Sequence, residues 1–302
     1  NDSALSHPHD REPHKSAGDL MRLPFDHGLT RDQIDADYTA KLCTSAEGFA
    51  TTIAQYLTFS GPAQQLPGTQ LNMRYDTASQ ARMDLYGSGE NRPIFLFIHG
   101  GYWRALSKEQ SAFMAPMLAG HGIATAVPDY TLAPTASITE ITRQMRAAFA
   151  YLWHNAAALG IDRNRIVVGG SSAGGHLAAA LAMPGWQAAF NLPDPAVHAT
   201  LPISGLFDLA PIAASHVQDW MQFTQSEIEA LSPMRHAPGT ARGHIVVAQT
   251  ETPGFHRQSQ AYAQALGAPL LTVPSRNHFD VVLDLMRPDT ALSQTLLGLF
   301  VD

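Results

Sequence analysis

Short apolar runs alternate with longer segments of helical periodicity from residue 70 onward. Eight of these runs have the length and composition of β-strands: "LNMRYD", "ARMDLYG", "IFLFIH", "IATAVP", "IVVGG", "ATLPIS", "IVVAQT" and "LLTVP". Strands that alternate with helices build βαβ units. The pattern therefore predicts an α/β fold with a mainly parallel, eight-stranded sheet that carries helices on both faces.

Three helix starts show the capping-box pattern, in which Ser or Thr is followed three residues later by Glu or Gln. They are Thr30 with Gln33, Ser107 with Gln110, and Ser137 with Glu140. The third opens an apolar-faced segment that stops at Gly160, which predicts a crossover helix over residues 137–159. The second predicts a helix directly after a glycine stretch.

Composition and charge narrow the class of protein. The chain has 302 residues, 45% of them hydrophobic, and a formal net charge of -7. That length fits one large α/β domain, assigned to residues 21–302, after a polar and mobile lead-in over residues 1–20. The negative charge disfavours nucleic acid as a partner. We expect a small-molecule substrate instead, and a homodimer stays open as the assembly.

Other classes are disfavoured by what the sequence lacks. No apolar run reaches the roughly 18 residues of a membrane span, and the opening residues have no apolar signal-peptide core. Cys43 is the single cysteine, so no intramolecular disulfide can form, and the scattered histidines lack the spacing of a zinc site. We expect a cytoplasmic protein with no membrane partner and no metal.

A nucleophile pattern follows the fifth predicted strand. Gly170-Ser171-Ser172-Ala173-Gly174 is a G-x-S-x-G sequence between a strand and an apolar helical run. Such a turn is so tight that it needs glycines on both sides, and it lifts the serine hydroxyl clear of the sheet. Ser172 is the candidate nucleophile. Ser171 is the rival, but its frame ends in Ala.

The oxyanion formed when a serine attacks a carbonyl needs preorganised donors. The stretch "HGGYW", residues 99–103, follows the third strand and supplies backbone N–H groups that the N–H of Ala173 can join. Tyr102 and Trp103 are bulky residues beside this turn. Both are substrate-binding candidates that could equally be core aromatics.

The general base must lie after Ser172, because the triad in this architecture runs Ser, then Asp or Glu, then His. His278 in "PSRNHFD" directly follows the last strand, whereas His176 lies within the helix after Ser172 and fits a packing role. Glu251 follows the strand "IVVAQT" and is the favoured acid. Asp208, after the preceding strand, is the alternative.

Two longer insertions follow strands of the predicted sheet. One is the segment "MPGWQAAFNLPDP", and the other covers residues 211–238. Ligands of open α/β sheets bind at the carboxyl ends of the strands. Both insertions are therefore candidates for pocket walls or lids, with plain surface excursions as the alternative.

Together these motifs resemble the kynurenine formamidase (arylformamidase) family of α/β-hydrolases, relatives of the hormone-sensitive-lipase-like esterases. The resemblance rests on "HGGYW", "DYTLAP", "GGSSAGGHLAA", "SGLFDL", "VVAQTETPGFHRQS" and "NHFD", over residues 70–285. It implies the α/β-hydrolase fold, a catalytic triad of Ser172, Glu251 and His278, and an oxyanion hole from the amides of Gly101 and Tyr102.

The same resemblance implies a function. The expected reaction is cofactor-free hydrolysis of N-formyl arylamines, such as N-formyl-L-kynurenine, to the free amine and formate through a formyl-enzyme intermediate. A broad carboxylesterase for short acyl esters is the alternative, since it would use the same residues. A non-catalytic ligand-binding protein on this fold is the remote alternative.

Overall fold

The computed structural model describes residues 28–236 and 242–301. The predicted lead-in over residues 1–20 lies outside these described residues. Within them, the strands are β1 (Gln70–Arg74), β2 (Arg82–Tyr86), β3 (Arg92–Ile98), β4 (Ala124–Pro128), β5 (Ile161–Ser171), β6 (Ala199–Ile203), β7 (Arg242–Gly243), β8 (Ile245–Thr250) and β9 (Leu270–Asn277). Every predicted strand is present, and the two-residue β7 was not predicted.

The strands form one sheet in the order β1-β2-β4-β3-β5-β6-β8-β9, with β7 paired to β6. β2 pairs antiparallel with β1 and with β4. From β4 to β9 the neighbours run parallel. The carboxyl ends of the parallel strands therefore lie at one edge of the sheet, which is where the candidate chemistry follows β3, β5, β8 and β9.

Helices surround this sheet. The α-helices are α1 (Arg31–Asp37), α2 (Ala46–Ser60), α3 (Ala115–Gly120), α4 (Ile138–His154), α5 (Ala156–Leu159), α6 (Ala173–Leu181), α7 (Ala210–Ala213), α8 (Gln218–Met221), α9 (Gln225–Leu231), α10 (Pro253–Leu266) and α11 (Ala291–Gly298). Short 3-10 helices cover Ala40–Cys43, Gly61–Gln65, Lys108–Gln110, Gln187–Phe190, Pro233–Arg235 and Asp280–Met286.

β3 shows how both faces of the sheet are covered. Alternate residues of a strand point to opposite faces, and the side chains of β3 divide between two hydrophobic cores. Leu96 belongs to the core that contains Met145 of α4 and Leu177 of α6. Phe97 belongs to the other core, with Leu118 of α3. The strand is therefore buried on both sides, as its unbroken apolar sequence indicated.

The crossover helix begins where the sequence predicted. The hydroxyl of Ser137 accepts a hydrogen bond from the backbone N–H of Glu140 at the start of α4. The chain leaves the helix at Asn155, one residue before α5, so the predicted helix is divided in two. α5 ends at Gly160 with φ +70°, a left-handed conformation that favours glycine.

The other two capping boxes differ in outcome. Thr30 and Gln33 form the full reciprocal box at α1. The prediction at Ser107 is wrong, because its side chain caps nothing and only a 3-10 turn follows. Tertiary contacts override the local pattern there. The backbone N–H of Lys108 donates to Asp129, and its ammonium makes a buried ion pair with Asp84 at 3.1 Å.

Candidate active site

Ser172 occupies a strained turn between β5 and α6. Its backbone has φ +58° and ψ -116°, which a residue with a side chain rarely adopts. The N–H of Ser172 donates to the carbonyl of Ile203, which ties the turn to β6. A Cβ atom on Gly174 would lie 2.0 Å from the carbonyl oxygen of Ile98. The glycine therefore permits the close approach of β3 that holds the serine in place.

The rival serine lies one residue earlier, at the end of β5. Ser171 continues the strand and pairs with Ile203. Both serines border the same cavity. Of the two, Ser172 alone has the positive φ expected of the strained turn that carries a nucleophile.

His278 and Glu251 meet at the ends of two neighbouring strands. Glu251 directly follows β8, and His278 directly follows β9. Nδ1 of His278 lies 2.8 Å from Oε2 of Glu251, and the Glu251 side chain is wholly buried. The other carboxylate oxygen accepts hydrogen bonds from the hydroxyl of Ser204 and, at 2.9 Å, from the N–H of Ala248. Three donors therefore fix this carboxylate.

The glycine turn after β3 carries unused backbone donors. Gly101, Tyr102 and Trp103 all have positive φ, of 92°, 47° and 58°. The carbonyl of Gly101 accepts from the amides of Arg104 and Ala105, which closes the turn. Within residues 28–236 and 242–301, the amides of Gly101 and Tyr102 donate to no protein acceptor. They are free to bind a ligand oxygen.

These groups border a cavity of about 390 Å³, within the usual range for small-molecule sites. Ser172 and His278 both line it, together with the glycine turn. Its remaining walls are mostly apolar and come from α2, from β3, from the segment just before α3 and from the segment after β9. They include Phe49, Ile53, Tyr56, Phe97, Phe113, Phe279 and Val282. The arrangement can hold an apolar or aromatic group beside a nucleophilic hydroxyl, a histidine–carboxylate pair and two free amides.

Comparison with known proteins agrees with this arrangement. The family model described as BD-FAE matches residues 83–232. A kynurenine formamidase from Salmo salar is 28% identical over 250 residues, which are 78% of this chain and 83% of that protein. The chain has the α/β-hydrolase fold and is similar to the kynurenine formamidases over most of its length. The hydrolase is also similar to a Silicibacter sp. TM1040 protein provisionally described as a thioesterase, with 28% identity, a TM-score of 0.75 and coverage of 87% of this chain and 98% of that one.

A more distant structure shows the same fold. The esterase of Pyrobaculum calidifontis is 17% identical to this hydrolase, with a TM-score of 0.69, and the match covers 90% of this chain and 98% of that one. The mainly parallel sheet with helices on both faces is thus the α/β-hydrolase fold, as predicted. The glycine turn and the serine turn occupy the positions that this fold gives them.

The alternative acid is engaged elsewhere in the hydrolase. Asp208 is buried, and Nη2 of Arg235 lies 3.1 Å from its carboxylate. The same carboxylate accepts the N–H of Ala210 at the start of α7. The structure therefore corrects this alternative: Asp208 stabilises a helix start and an ion pair, and Glu251 holds the position beside His278.

Trp103 is a core residue. It is fully buried, lies outside the cavity lining, and packs edge-on against His176 and Phe223. Its candidate role in substrate contact is therefore corrected, because no surface of the indole reaches the cavity. Tyr102 does line the cavity, and its hydroxyl donates to the carbonyl of Tyr38.

Two other histidines are buried near the site. His176 packs as predicted, with Nε2 at 2.8 Å from the carbonyl of Leu231. His99 stacks on Tyr130 with ring centres 4.3 Å apart. Burial lowers the pKa of each imidazole to about 4. Both rings are therefore neutral at neutral pH and add no positive charge beside Ser172.

The N-terminal segment forms a wall that sequence reasoning missed. Thr39, Ala40 and Lys41 line the cavity beside the α2 residues. This segment is fastened to the rest of the hydrolase, since Thr252 donates its hydroxyl to the carbonyl of Asp37. The capping box at Thr30 predicted the helix α1 that precedes this segment, but no local pattern indicated where the helix or the segment would pack.

The two insertions differ in their relation to the cavity. His216 and Trp220, from the second insertion, line it, whereas no residue of the first insertion does so in the described chain. The second insertion is therefore a pocket wall. In the part of the chain that the structure describes, no cluster of three or more His, Cys, Asp or Glu side chains could hold a metal ion. The described helices include none that is long and apolar enough to cross a membrane.

Proposed function

We propose that this chain is a serine hydrolase that cleaves N-formyl arylamines, with N-formyl-L-kynurenine as the first candidate substrate. The observation that carries the proposal is the contact of His278 with Glu251 at a cavity that Ser172 also lines. The relationship to kynurenine formamidases over most of the chain supports the formyl substrate.

The proposed mechanism starts from the contact between one ring nitrogen of His278 and Glu251. Glu251 holds Nδ1 of His278, so Nε2 remains to accept the proton of Ser172. Ser172 attacks the formyl carbon, and the amides of Gly101, Tyr102 and Ala173 bind the oxyanion. His278 then gives its proton to the departing arylamine. Water attacks the formyl ester with the same base, releasing formate and restoring Ser172. These steps use no metal ion or cofactor.

The shape of the cavity suits this division between a small acyl group and a large leaving group. A Cβ atom on Gly100 would lie 2.8 Å from the carbonyl oxygen of Ser171, so the glycine turn packs tightly against the serine turn. A formyl group needs little room on that side. The aromatic walls, which include Phe49 and Phe279, favour an aryl leaving group by apolar contact.

A carboxylesterase for short acyl esters is the second candidate. The same residues would act in the same roles, and the Pyrobaculum protein that shares this fold is an esterase. The two candidates differ in the leaving group. The formamidase expels an arylamine, which must be protonated as it departs, whereas the carboxylesterase expels an alcohol, which depends less on protonation by His278.

The deciding experiment compares kcat/KM on N-formyl-L-kynurenine and on p-nitrophenyl acetate. Ser172→Ala serves as the blank, and Ser171→Ala is the matched control at the neighbouring position. We expect Ser172→Ala to lower kcat by about 10⁴ to 10⁶ while Ser171→Ala keeps most of the turnover. A preference of a hundredfold or more for the formamide, roughly 2.7 kcal/mol, supports the formamidase. A preference for the ester supports the carboxylesterase, and an active Ser172→Ala enzyme overturns the mechanism.

A further inference from the structure

The charges that border the cavity are all of one sign. Lys41 and Arg104 line it, and none of the described lining residues is Asp or Glu. This contrasts with the whole chain, whose net charge is -7. A cleft lined by charges of one sign raises the local concentration of ligands of the opposite sign.

Arg104 is held in place without a carboxylate partner. Its guanidinium carbon lies 3.7 Å from the centre of the Trp220 ring. In the described chain it makes no ion pair with Asp or Glu. A guanidinium stacked on an indole keeps its N–H groups at the edge, where they can bind a carboxylate through two parallel hydrogen bonds.

The position of Arg104 is coupled to the glycine turn. Its backbone N–H donates to the carbonyl of Gly101 at 3.0 Å. The indole N–H of Trp220 donates to the carbonyl of Tyr102 at 3.1 Å. The ring that carries the guanidinium is therefore hydrogen-bonded to Tyr102, whose amide is one of the proposed oxyanion donors. A group bound by Arg104 would have a fixed position relative to Ser172.

Lys41 comes from the N-terminal wall. Its ammonium lies 4.4 Å from the centre of the Phe49 ring. Phe49 packs edge-on against Phe279, the residue after His278, with ring centres 4.8 Å apart. The Lys41 ammonium thus contacts Phe49, which packs on Phe279 beside His278. Like Arg104, it has no carboxylate partner among the described residues.

We propose that the cavity selects substrates whose leaving group carries a carboxylate, which Arg104 binds directly and Lys41 attracts. This inference rests on the proposed function. For the formamidase it narrows the substrate class to N-formyl arylamines with an acidic side chain. The lining offers no carboxylate to an ammonium, so the amino group of an amino-acid substrate would contribute little to selection.

The test pairs N-formyl-L-kynurenine with 2-formamidoacetophenone, which keeps the aryl formamide and lacks the carboxylate. Arg104→Met keeps an unbranched apolar side chain at this position but removes the guanidinium and its charge, and Arg104→Lys restores a charge. Arg163→Met removes an exposed arginine of β5 that lies outside the cavity lining. It is the matched control for a change in net charge.

We expect Arg104→Met to lower kcat/KM for N-formyl-L-kynurenine by about tenfold or more, mainly through KM. The loss on 2-formamidoacetophenone should stay within about threefold, and Arg104→Lys should recover part of the discrimination. Lys41→Met should give a smaller loss in the same direction that shrinks as NaCl is added. Arg163→Met should leave the ratio of the two substrates unchanged.

Equal losses on both substrates would mean that Arg104 only supports the glycine turn, and the proposal would be wrong. An unchanged substrate ratio in Arg104→Met and in Lys41→Met would also overturn it. If the wild-type enzyme cleaves neither formamide but cleaves esters, the proposed formamidase fails separately. The pair 4-acetoxybenzoate and phenyl acetate then tests the same carboxylate selection in the same variants.

Discussion

Nδ1 of His278 and Oε2 of Glu251 are 2.8 Å apart at the ends of two adjacent parallel strands. The other oxygen of Glu251 accepts from Ser204 and Ala248, so the carboxylate has a fixed orientation. A carboxylate held in this way stabilises one tautomer of the imidazole and the imidazolium that forms during the reaction. The contact therefore fixes the orientation of the His278 ring as well as burying the Glu251 carboxylate.

Glu251→Gln tests this relationship directly. The amide oxygen would take the place of Oε1 beside the donors Ser204 and Ala248, which leaves the NH₂ group facing Nδ1. The imidazole would then carry its proton on Nε2, where it cannot accept one from Ser172. We expect kcat to fall by about 10⁴ with little change in the thermal midpoint of unfolding.

Asp208→Asn is the matched control for the acid. Asp208 pairs with Arg235 and receives the N–H of Ala210, away from the His278 contact. Its loss should reduce stability but leave most of the turnover. Steady-state kinetics and thermal unfolding of both variants check this. A greater loss of kcat in Asp208→Asn than in Glu251→Gln would contradict the proposal, because the acid would then be Asp208 after β6 instead of Glu251 after β8.

Gly101→Ala should damage the oxyanion donors. Gly101 has φ +92°, and a Cβ atom there would lie 2.3 Å from the backbone oxygen of Ala105. The turn would have to shift, which moves the amide of Tyr102. We expect kcat to drop by about 10² to 10³. Gly120→Ala, in α3, is the control because its Cβ would meet no atom within 4 Å.

Both glycine variants are assayed with the same substrate after circular dichroism has confirmed their folding. Wild-type kcat in folded Gly101→Ala would show that the position of this turn does not matter to catalysis. A similar loss in Gly120→Ala would point to a general effect of alanine substitution instead.

Removal of metal ions should leave activity unchanged. The proposed steps need only Ser172, His278, Glu251 and backbone amides. After dialysis against EDTA, we expect kcat/KM within about 20% of the untreated value, because the proposed mechanism has no step on a metal ion. Dialysis without chelator is the control. Activity that is lost with EDTA and returns with added zinc would require a metal ligand set in this protein.

Local patterns predicted most of the sheet and the strand ends that carry Ser172, Glu251 and His278. β3 and β5 have continuous apolar sequences, and Ser172 follows β5 within a glycine frame that few other turns need. His278 and Glu251 each follow a strand directly, so chain order alone placed them at one edge of the sheet. These features could be predicted because each depends on neighbours in sequence.

The features that were missed depend on distant contacts. The N-terminal wall reaches the cavity through pairs such as Tyr38 with Tyr102, which are 64 residues apart. Trp103 is adjacent to Tyr102 in sequence, yet the turn directs one ring to the cavity and the other to the core. At Ser107 the burial of the Lys108 ammonium prevailed over a local helix signal. The periodicity of apolar residues cannot predict these features, because they depend on contacts between residues that are far apart in sequence.

Stability should decrease as the pH falls below about 6.5, the ordinary pKa of histidine. His99 and His176 have pKa values lowered to about 4 by burial. Between these values the unfolded chain binds a proton at each histidine and the folded chain does not. The contribution of these two histidines to the free energy of unfolding is therefore fully present above pH 6.5. As the pH falls from 6.5 to about 4, each histidine lowers that free energy by up to about 1.4 kcal/mol per pH unit.

Asp129 acts in the opposite direction. Burial raises the pKa of its carboxyl to about 6, from 3.8. Between these values the folded chain holds a proton that the unfolded chain has released, so acidification relieves a cost of folding. Asp129→Asn removes this titrating carboxyl and with it the stabilising effect of acid. The amide oxygen of the new side chain can still accept the N–H of Lys108. Urea unfolding at pH 7.0 and 5.0 should show a larger loss of stability in the variant than in the wild type. An equal loss in the two proteins would mean that Asp129 is ionised in the folded protein at both pH values.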